Sequence, residues 1–407
     1  MACILKIPVD GAKGVVTFTT QEQRVINKNS ALQSALINLR RRYVVGLHFN
    51  WHNHQFTPDQ NFDFFMAGAG DLIPVADTPF RLFPLDACNF TPAIYAPDNT
   101  PKFWDILVVG NPVFFKRPEV VLRTVRKLFD QAGRKFRVLY ICPMPQYRVG
   151  DISSVFYDVR KYYESMFSKE ERNWFTLLTT TFNSPFPFDR QTLSVFFRNS
   201  RVFLHCATDE RRCRIAAYAW CAGLPVVAYP SVASILPPNL QVEPGYFRVE
   251  RDENYVPSLL RALESSENFD PFFYRQALSE TYMVSALDRR LADVFSELGY
   301  PYSDNPLLEK NLDIRLGWHH QCIGGESNGL RQPLEEFMRI LEELSLDSTL
   351  LTSDFFNAEF PEQVLAGEGE QQKNGDVSEI EKQSFYLNPN KPWFRIYRAI
   401  IARLRLN

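Results

Sequence analysis

Between residues 104 and 264 the chain alternates short, almost wholly apolar runs with longer stretches of helical periodicity, and that alternation restricts its fold most. The runs DILVVG (105–110), KFRVLYIC (135–142), NWFTLLTT (173–180), RVFLHCA (201–207) and PVVAY (225–229) predict strands buried on both faces. Between them stand PEVVLRTVRKLFDQAG, SSVFYDVRKYYESMFS, FDRQTLSVFFRNS and RRCRIAAYAWCAG. The first has a proline in its opening turn and stops at Gly133, and the last stops at Gly223, which are helix punctuation signals. The expected unit is a doubly wound α/β domain over 104–264, with its ligand crevice beyond the carboxyl ends of the strands.

The flanks are less regular. Residues 1–103 hold an expected helix, NKNSALQSALINLRRR, an expected strand, YVVGLHF, and a proline-punctuated tail, which is small for a complete domain. After Glu264 the run PFFYRQALSETYMVSALDRRLADVFSELG predicts a long helical return over 265–310. LDIRLGW, read as a strand, the loop HHQCIGGESNGLRQP and the helix LEEFMRILEEL would together let residues 311–345 complete the N-terminal domain. The polar stretch 367–384 is expected to be a disordered linker. It precedes a basic amphipathic tail helix over 386–407, with Arg395, Arg398 and Arg405 near one face and Phe394, Tyr397, Ile401 and Leu404 near another. Such a helix suits peripheral membrane contact through 391–407 and equally suits packing on the body of the protein.

Composition narrows the function classes. A 407-residue chain with 45% hydrophobic and 23% charged residues can bury two ordinary cores. A formal net charge of −2 gives no bulk electrostatic case for a nucleic-acid partner. Seven scattered cysteines without CxxC spacing argue against a disulfide framework or a zinc site and fit a reducing, cytoplasmic setting. No run of apolar residues is long enough to span a bilayer, and the start lacks the basic region of a signal peptide.

The stretch ATDERRCRIAAYAWCAGLPVVAY (207–229) concentrates the chemistry. It reads as a strand-to-helix corner with Glu210 in a loop at the crevice and a helix beginning near Arg211. A helix start presents unpaired N–H groups that suit a phosphate, and Arg211, Arg212 and Arg214 would strengthen that preference. Position by position the stretch resembles family 4 glycosyltransferases, enzymes with two Rossmann domains in the GT-B arrangement. Their pattern here is Ser-x-x-Glu, seven residues, Glu, then Ala-x-Ala-x-Gly-x-Pro-Val-Val. Glu210 takes the first glutamate and Gly223-Leu224-Pro225-Val226-Val227 the end of the motif, while Tyr218 stands at the second glutamate and Ala207 at the serine. The likeness extends to the first strand and loop, VVGNPVFFKRPE, where the family has Val-Gly-Arg and then a lysine. Gly110 and Lys116 match, and Asn111 replaces the arginine.

The resemblance implies an α/β, GT-B-like fold with two Rossmann-type domains facing a cleft, the first small or atypical. It implies that the basic pair holds the diphosphate of a nucleotide-sugar donor, that Glu210 meets the sugar hydroxyls, and that the residue at position 218 meets the ribose. Gly110, Asn111, Lys116, Arg211, Arg212 and Tyr218 are then the expected donor-site residues, and Lys116 and Glu210 the expected catalytic ones. The acceptor would be a glycan, a lipid-linked group or a small-molecule hydroxyl, with retention at the anomeric carbon. No two aspartates stand two residues apart, so an Asp-x-Asp metal motif is absent; fixed cations and a helix start are expected to stabilise the leaving diphosphate, with no metal or other cofactor. In HFNWHNHQF (48–56), His48, His52 and His54 share one face if extended, and His52 is the candidate general base or acceptor contact in the interdomain cleft. His319 and His320 before GGESNG suggest a weaker, phosphate-loop-like element. Two rival readings stay open: a non-catalytic binding or scaffolding relative, and another nucleotide-diphosphate enzyme on the same fold, an epimerase or polyol phosphate transferase.

Overall fold

The computed structural model describes residues 2–9, 11–49, 59–68, 81–143, 158–179, 189–303, 307, 311–316, 334–339 and 341–342. Two sheets organise them. The first comprises β1 (Cys3–Lys6), β2 (Gly14–Thr19), β3 (Tyr43–His48), β4 (Phe64–Met66) and β5 (Leu82–Phe83) in sequential order. β1 is antiparallel to β2 and the others are parallel. The second comprises β6 (Trp104–Val109), β7 (Val138–Cys142), β8 (Phe175–Thr179), β9 (Ser200–Leu204), β10 (Val226–Ala228) and β11 (Tyr246–Arg248). All its pairings are parallel, in the order β11-β10-β9-β6-β7-β8. Counted from β6, that is the doubly wound order 3-2-1-4-5-6 read backwards, with its reversal between β6 and β9.

The helices, in chain order, are α1 (Thr20–Ile26), α2 (Ser30–Leu39), α3 (Pro118–Gln131), α4 (Val159–Met166), α5 (Arg190–Arg198), α6 (Arg214–Cys221), α7 (Pro230–Ala233), α8 (Tyr255–Ser265), α9 (Phe272–Leu278), α10 (Glu280–Glu297) and α11 (Leu312–Arg315). The second sheet is buried on both faces because its strands alternate apolar side chains into two clusters. Ile106, Val108, Val138, Tyr140, Val202 and Leu204 pack under α3, α4 and α8; Leu107, Val109, Leu139, Ile141 and Phe203 pack under α5, α6 and α9. Each fully buried valine, leucine or phenylalanine is worth about 1.5–3 kcal/mol in apolar area removed from water. α6 ends at Cys221 with Ala222 as its cap, and Gly223 beyond it has a φ of +80°, the left-handed conformation that turns the chain into Leu224-Pro225 and β10.

The first sheet draws its cover from both ends of the chain. On one face Val16, Phe18, Val45 and Leu47 pack with Val25, Leu32 and Leu36 of α1 and α2 and with Leu334, Met338 and Leu341. On the other, Val15, Val44, Phe64 and Met66 meet Leu287, Leu291 and Phe295 of α10 and Leu312 and Leu316. A segment of about 100 residues thus gains a full core from chain that returns after the second sheet.

Three sequence expectations are corrected. LDIRLGW does not open as a strand: Leu312–Arg315 is a helical turn, entered through Asn311 at φ 58°, because Leu312 and Leu316, four residues apart, both bury against the first sheet. The long return helix is two helices, broken at Ser279, whose extended backbone (φ −100°, ψ 146°) pairs with Thr91. The helix expected near Arg211 begins at Arg214, leaving Arg211 and Arg212 in the preceding turn.

Candidate functional site

The reversal between β6 and β9 splays two loops apart at the carboxyl ends of the strands, and the charged residues of those loops converge there. From β6 the chain runs through Gly110 and the half-buried Asn111 into a 3-10 turn, Phe114–Lys116. Gly110 donates its N–H to Ile141 O at 3.0 Å, and no described atom lies within 4 Å of where a Cβ would stand on it. Arg117 follows in the left-handed region (φ 54°, ψ 54°), a conformation that costs a side-chain-bearing residue about 1–3 kcal/mol unless its surroundings fix it. Here Arg117 donates to Asp252 Oδ2 at 2.6 Å, and Asp252 also accepts from the Tyr229 hydroxyl at 3.0 Å. Pro118 then starts α3 with φ preset for the first helical turn.

From β9 come His205 and Glu210. Lys116 Nζ donates to Glu210 Oε1, and His205 Nε2 lies 2.6 Å from Glu210 Oε2. Side-chain exposures are 16% for Lys116, 13% for Glu210 and 4% for His205, so the three charges sit largely out of water but not sealed from it. Burial works against the carboxylate, yet the ammonium and the imidazole beside it hold Glu210 well below the usual carboxylate range. Burial likewise pulls the His205 imidazole down, and the Cys213 sulfur and the Glu210 carboxylate overcome it, raising the group to about 9. The Glu210 backbone is fixed too: its N–H donates to Ser231 Oγ at 3.2 Å, and that hydroxyl donates to Thr208 O at 2.9 Å.

His205, Glu210 and Cys213 place their donor atoms within 4.8 Å of one another. Cys213 Sγ lies 3.7 Å from His205 Nε2. An ion entering this group would have to displace the proton that His205 and Glu210 share.

The other expected residues differ in their surroundings. Arg211 pairs with Asp209 at 3.4 Å on the outside of the turn. Arg212 reaches into the first half of the molecule, donating to Phe49 O and standing 3.4 Å from Asp86 Oδ2. Tyr218 is core: it is 7% exposed, stacks on Tyr95 at 4.2 Å between centroids, and donates its hydroxyl to Asp313 Oδ2 at 2.7 Å. Asp313, fully buried, also binds the Arg190 guanidinium through both oxygens at 2.7 and 2.6 Å. His48 is buried at the end of β3 with Nδ1 2.9 Å from Thr17 Oγ1. His52, His54, His319, His320, the linker 367–384 and the tail 386–407 lie outside the described residues.

Sequence reasoning missed His205, Arg117, Asp252 and Ser231. A histidine ending an apolar run, five residues before a glutamate, was the available signal for the first; the others depend on contacts between distant loops.

No family model matches the chain, and no curated protein matches it in sequence. Among solved structures it is similar to sucrose-phosphate synthase from Thermosynechococcus elongatus, with 12% identity over 70% of this chain and 74% of that one and a TM-score of 0.47. It is also similar to TarM, with 10% identity over 69% of this chain and 54% of that one and a TM-score of 0.46. A third is Anabaena HepE in complex with UDP, at 10% identity over 69% of this chain and 78% of that one, with a TM-score of 0.45. The chain spans little more than half the length of TarM and of the GtfA/B complex chain, 54% and 56%. These likenesses concern overall architecture; the site is assigned on its own geometry.

Proposed function

We propose that the protein is a glycosyltransferase that moves a sugar from a nucleotide diphosphate donor to a hydroxyl of a glycan, lipid-linked or small-molecule acceptor, with retention and without a metal. The observation that carries the reading is the Lys116–Glu210 pair, brought from two strand ends to the one reversal point of the second sheet. In such a transfer the bond from the anomeric carbon to the diphosphate breaks, the bond to the acceptor oxygen forms, and the acceptor hydroxyl gives up its proton. Positive charge develops on the sugar and negative charge on the leaving diphosphate. Lys116 suits the second need. An ammonium has three N–H donors, so it can hold Glu210 and meet a phosphate oxygen together. Glu210, kept ionised by its neighbours, suits the first need and can accept from sugar hydroxyls.

A thermal-shift screen of the whole chain against nucleotide sugars and nucleoside diphosphates tests the reading. A ligand that binds only the folded state raises its stability as RT ln(1 + [L]/Kd). At least one diphosphate should raise the melting temperature of the native protein and fail to do so for Lys116→Ala; no response to any member of the panel would remove the proposal. A non-catalytic reading is favoured by one observation, the burial of Tyr218 against Tyr95 and Asp313, which gives position 218 no exposed group for a ribose. A nucleotide-sugar shift without donor hydrolysis or transfer would select it.

A further inference from the structure

We propose that His205 is the positioning residue of this crevice, holding Glu210 in place and offsetting its charge while a diphosphate draws on Lys116; this rests on the donor-site reading of the Lys116–Glu210 pair. The two oxygens of Glu210 have different partners. Oε1 accepts from Lys116 Nζ, on the turn that follows β6, and Oε2 lies 2.6 Å from Nε2 of His205, directly after β9. A carboxylate offers about four lone-pair sites, so two such bonds leave it room for sugar hydroxyls.

The two cations differ in how firmly they are set. The His205 side chain is 4% exposed; its backbone N–H donates to Val227 O of β10 at 3.0 Å, and its carbonyl accepts from the Tyr255 hydroxyl at 3.2 Å. Its ring lies nearly parallel to that of Phe203, with 6.1 Å between centroids and 19° between planes. Lys116 stands on a 3-10 turn and carries its charge on a flexible stem, with 16% of its side chain in solvent. Lys116 is therefore the partner that can lean toward a phosphate, and His205 the one that stays with Glu210.

Charge gives the same division. A diphosphate brings negative charge to the side of a carboxylate, and like charges repel strongly in a site largely out of water. If Glu210 were offset by Lys116 alone, it would cancel the charge that the phosphate is to meet. The imidazolium offsets the carboxylate instead and leaves the ammonium for the ligand. Among the described residues, the charged and titratable groups facing the ring are Glu210, Lys116 across that carboxylate, and Cys213 at the start of α6, whose Sγ is 3.7 Å from Nε2. Burial draws the proton off His205, and Cys213 and Glu210 together keep it on up to about pH 9.

The test measures binding of nucleoside diphosphates and of inorganic pyrophosphate to the full-length protein by titration calorimetry from pH 7.5 to 9.5, beside His205→Leu and His205→Gln, with urea midpoints to show that each variant is folded. His205→Leu removes both the hydrogen bond and the charge, and His205→Gln keeps an N–H donor without a charge. At pH 7.5 His205→Leu should bind the diphosphate at least about tenfold more weakly than the native protein, and His205→Gln should recover part of that loss. Native affinity should fall more steeply toward pH 9.5 than that of either variant, a slope that a purely packing role would not produce. Where His205→Leu does not fold, the His205→Gln slope decides the matter. Equal affinities in all three proteins, or a native slope no steeper than that of His205→Gln, overturn the role and leave the donor reading standing. No diphosphate binding by the native protein removes the donor reading and this role with it.

Discussion

Glu210 is held between two cations, and its behaviour follows from that. His205 is raised from 6.5 to about 9, so its contribution to stability is complete below about pH 6.5 and is lost as pH rises through about 9. Stability should therefore fall across that alkaline window, on the order of 3 kcal/mol for a buried group with this shift. Glu210→Gln removes one of the two groups that raise the imidazole, the Cys213 sulfur being the other, so the fall of the urea midpoint from pH 6 to 9.5 should be shallower than in the native protein. A native protein whose midpoint does not fall would contradict the assignment of the proton to His205. On the proposed transfer reaction, Glu210 and Lys116 would also carry activity. Lys116→Ala should lower transfer by roughly tenfold or more, equivalent to about 1.4 kcal/mol of transition-state stabilisation. Its stability should change little, because Glu210 keeps His205 as a partner. Glu210→Gln should lose at least as much activity, and turnover unaffected in both variants would separate catalysis from this crevice.

At the scale of elements, α6 shows what position 218 now does. Tyr218 and Tyr95 form a stacked pair in the core, and the Tyr218 hydroxyl spends its proton on a fully buried carboxylate. Tyr218→Phe should cost about 1.5–3 kcal/mol, the range for a hydrogen bond to a charged group, read as a lowered denaturant midpoint. Tyr218→Glu, which would restore the residue of the resembling family, should be worse because it sets a carboxylate beside Asp313; improved nucleotide binding by that variant would overturn the core assignment. Tyr218 also shows where sequence runs out. The strands β6 to β10 were legible because strands covered on both faces leave continuous apolar runs, and α3 and α6 because proline and glycine punctuate them. β4 and β5 were not, since three and two residues carry no readable period. Lys116 and Glu210 were visible as charged residues beside strand ends, but Tyr218 has its partner 95 residues away, and nothing local distinguishes a tyrosine facing a ligand from one facing an aspartate.

At the scale of the whole molecule, two of the links between the halves among the described residues involve the chain where it returns. Thr91, leaving the first sheet, pairs with Ser279, where the chain returns: Thr91 N–H donates to Leu278 O at 2.8 Å and Glu280 N–H to Thr91 O at 3.0 Å. α9, just before this crossing, packs on the second sheet and α10, just after it, on the first. The second link is α11. Its Leu312 and the following Leu316 are buried with the first sheet, and Arg315 donates to Ile4 O in β1, while Asp313 between them binds Arg190 of α5 and Tyr218 of α6. One short helix thus carries apolar anchors for one half and a buried charge for the other. Asp313→Ala would take the counter-ion from the Arg190 guanidinium, leaving it the Asn311 side chain at 2.7 Å, and should cost about 3 kcal/mol, the low end for removing one partner of a buried pair. Asp313→Asn, which keeps an acceptor for Tyr218, should cost less. If α11 couples the halves, hydrogen exchange in Asp313→Asn should quicken in β1 and α6 together, because both lean on the same turn. Exchange that quickens in α5 and α6 alone would show that Asp313 serves only the second half, and that the remaining contacts, the pairing of Thr91 with Ser279 and the reach of Arg212 to Phe49 and Asp86 among them, bear the connection without it.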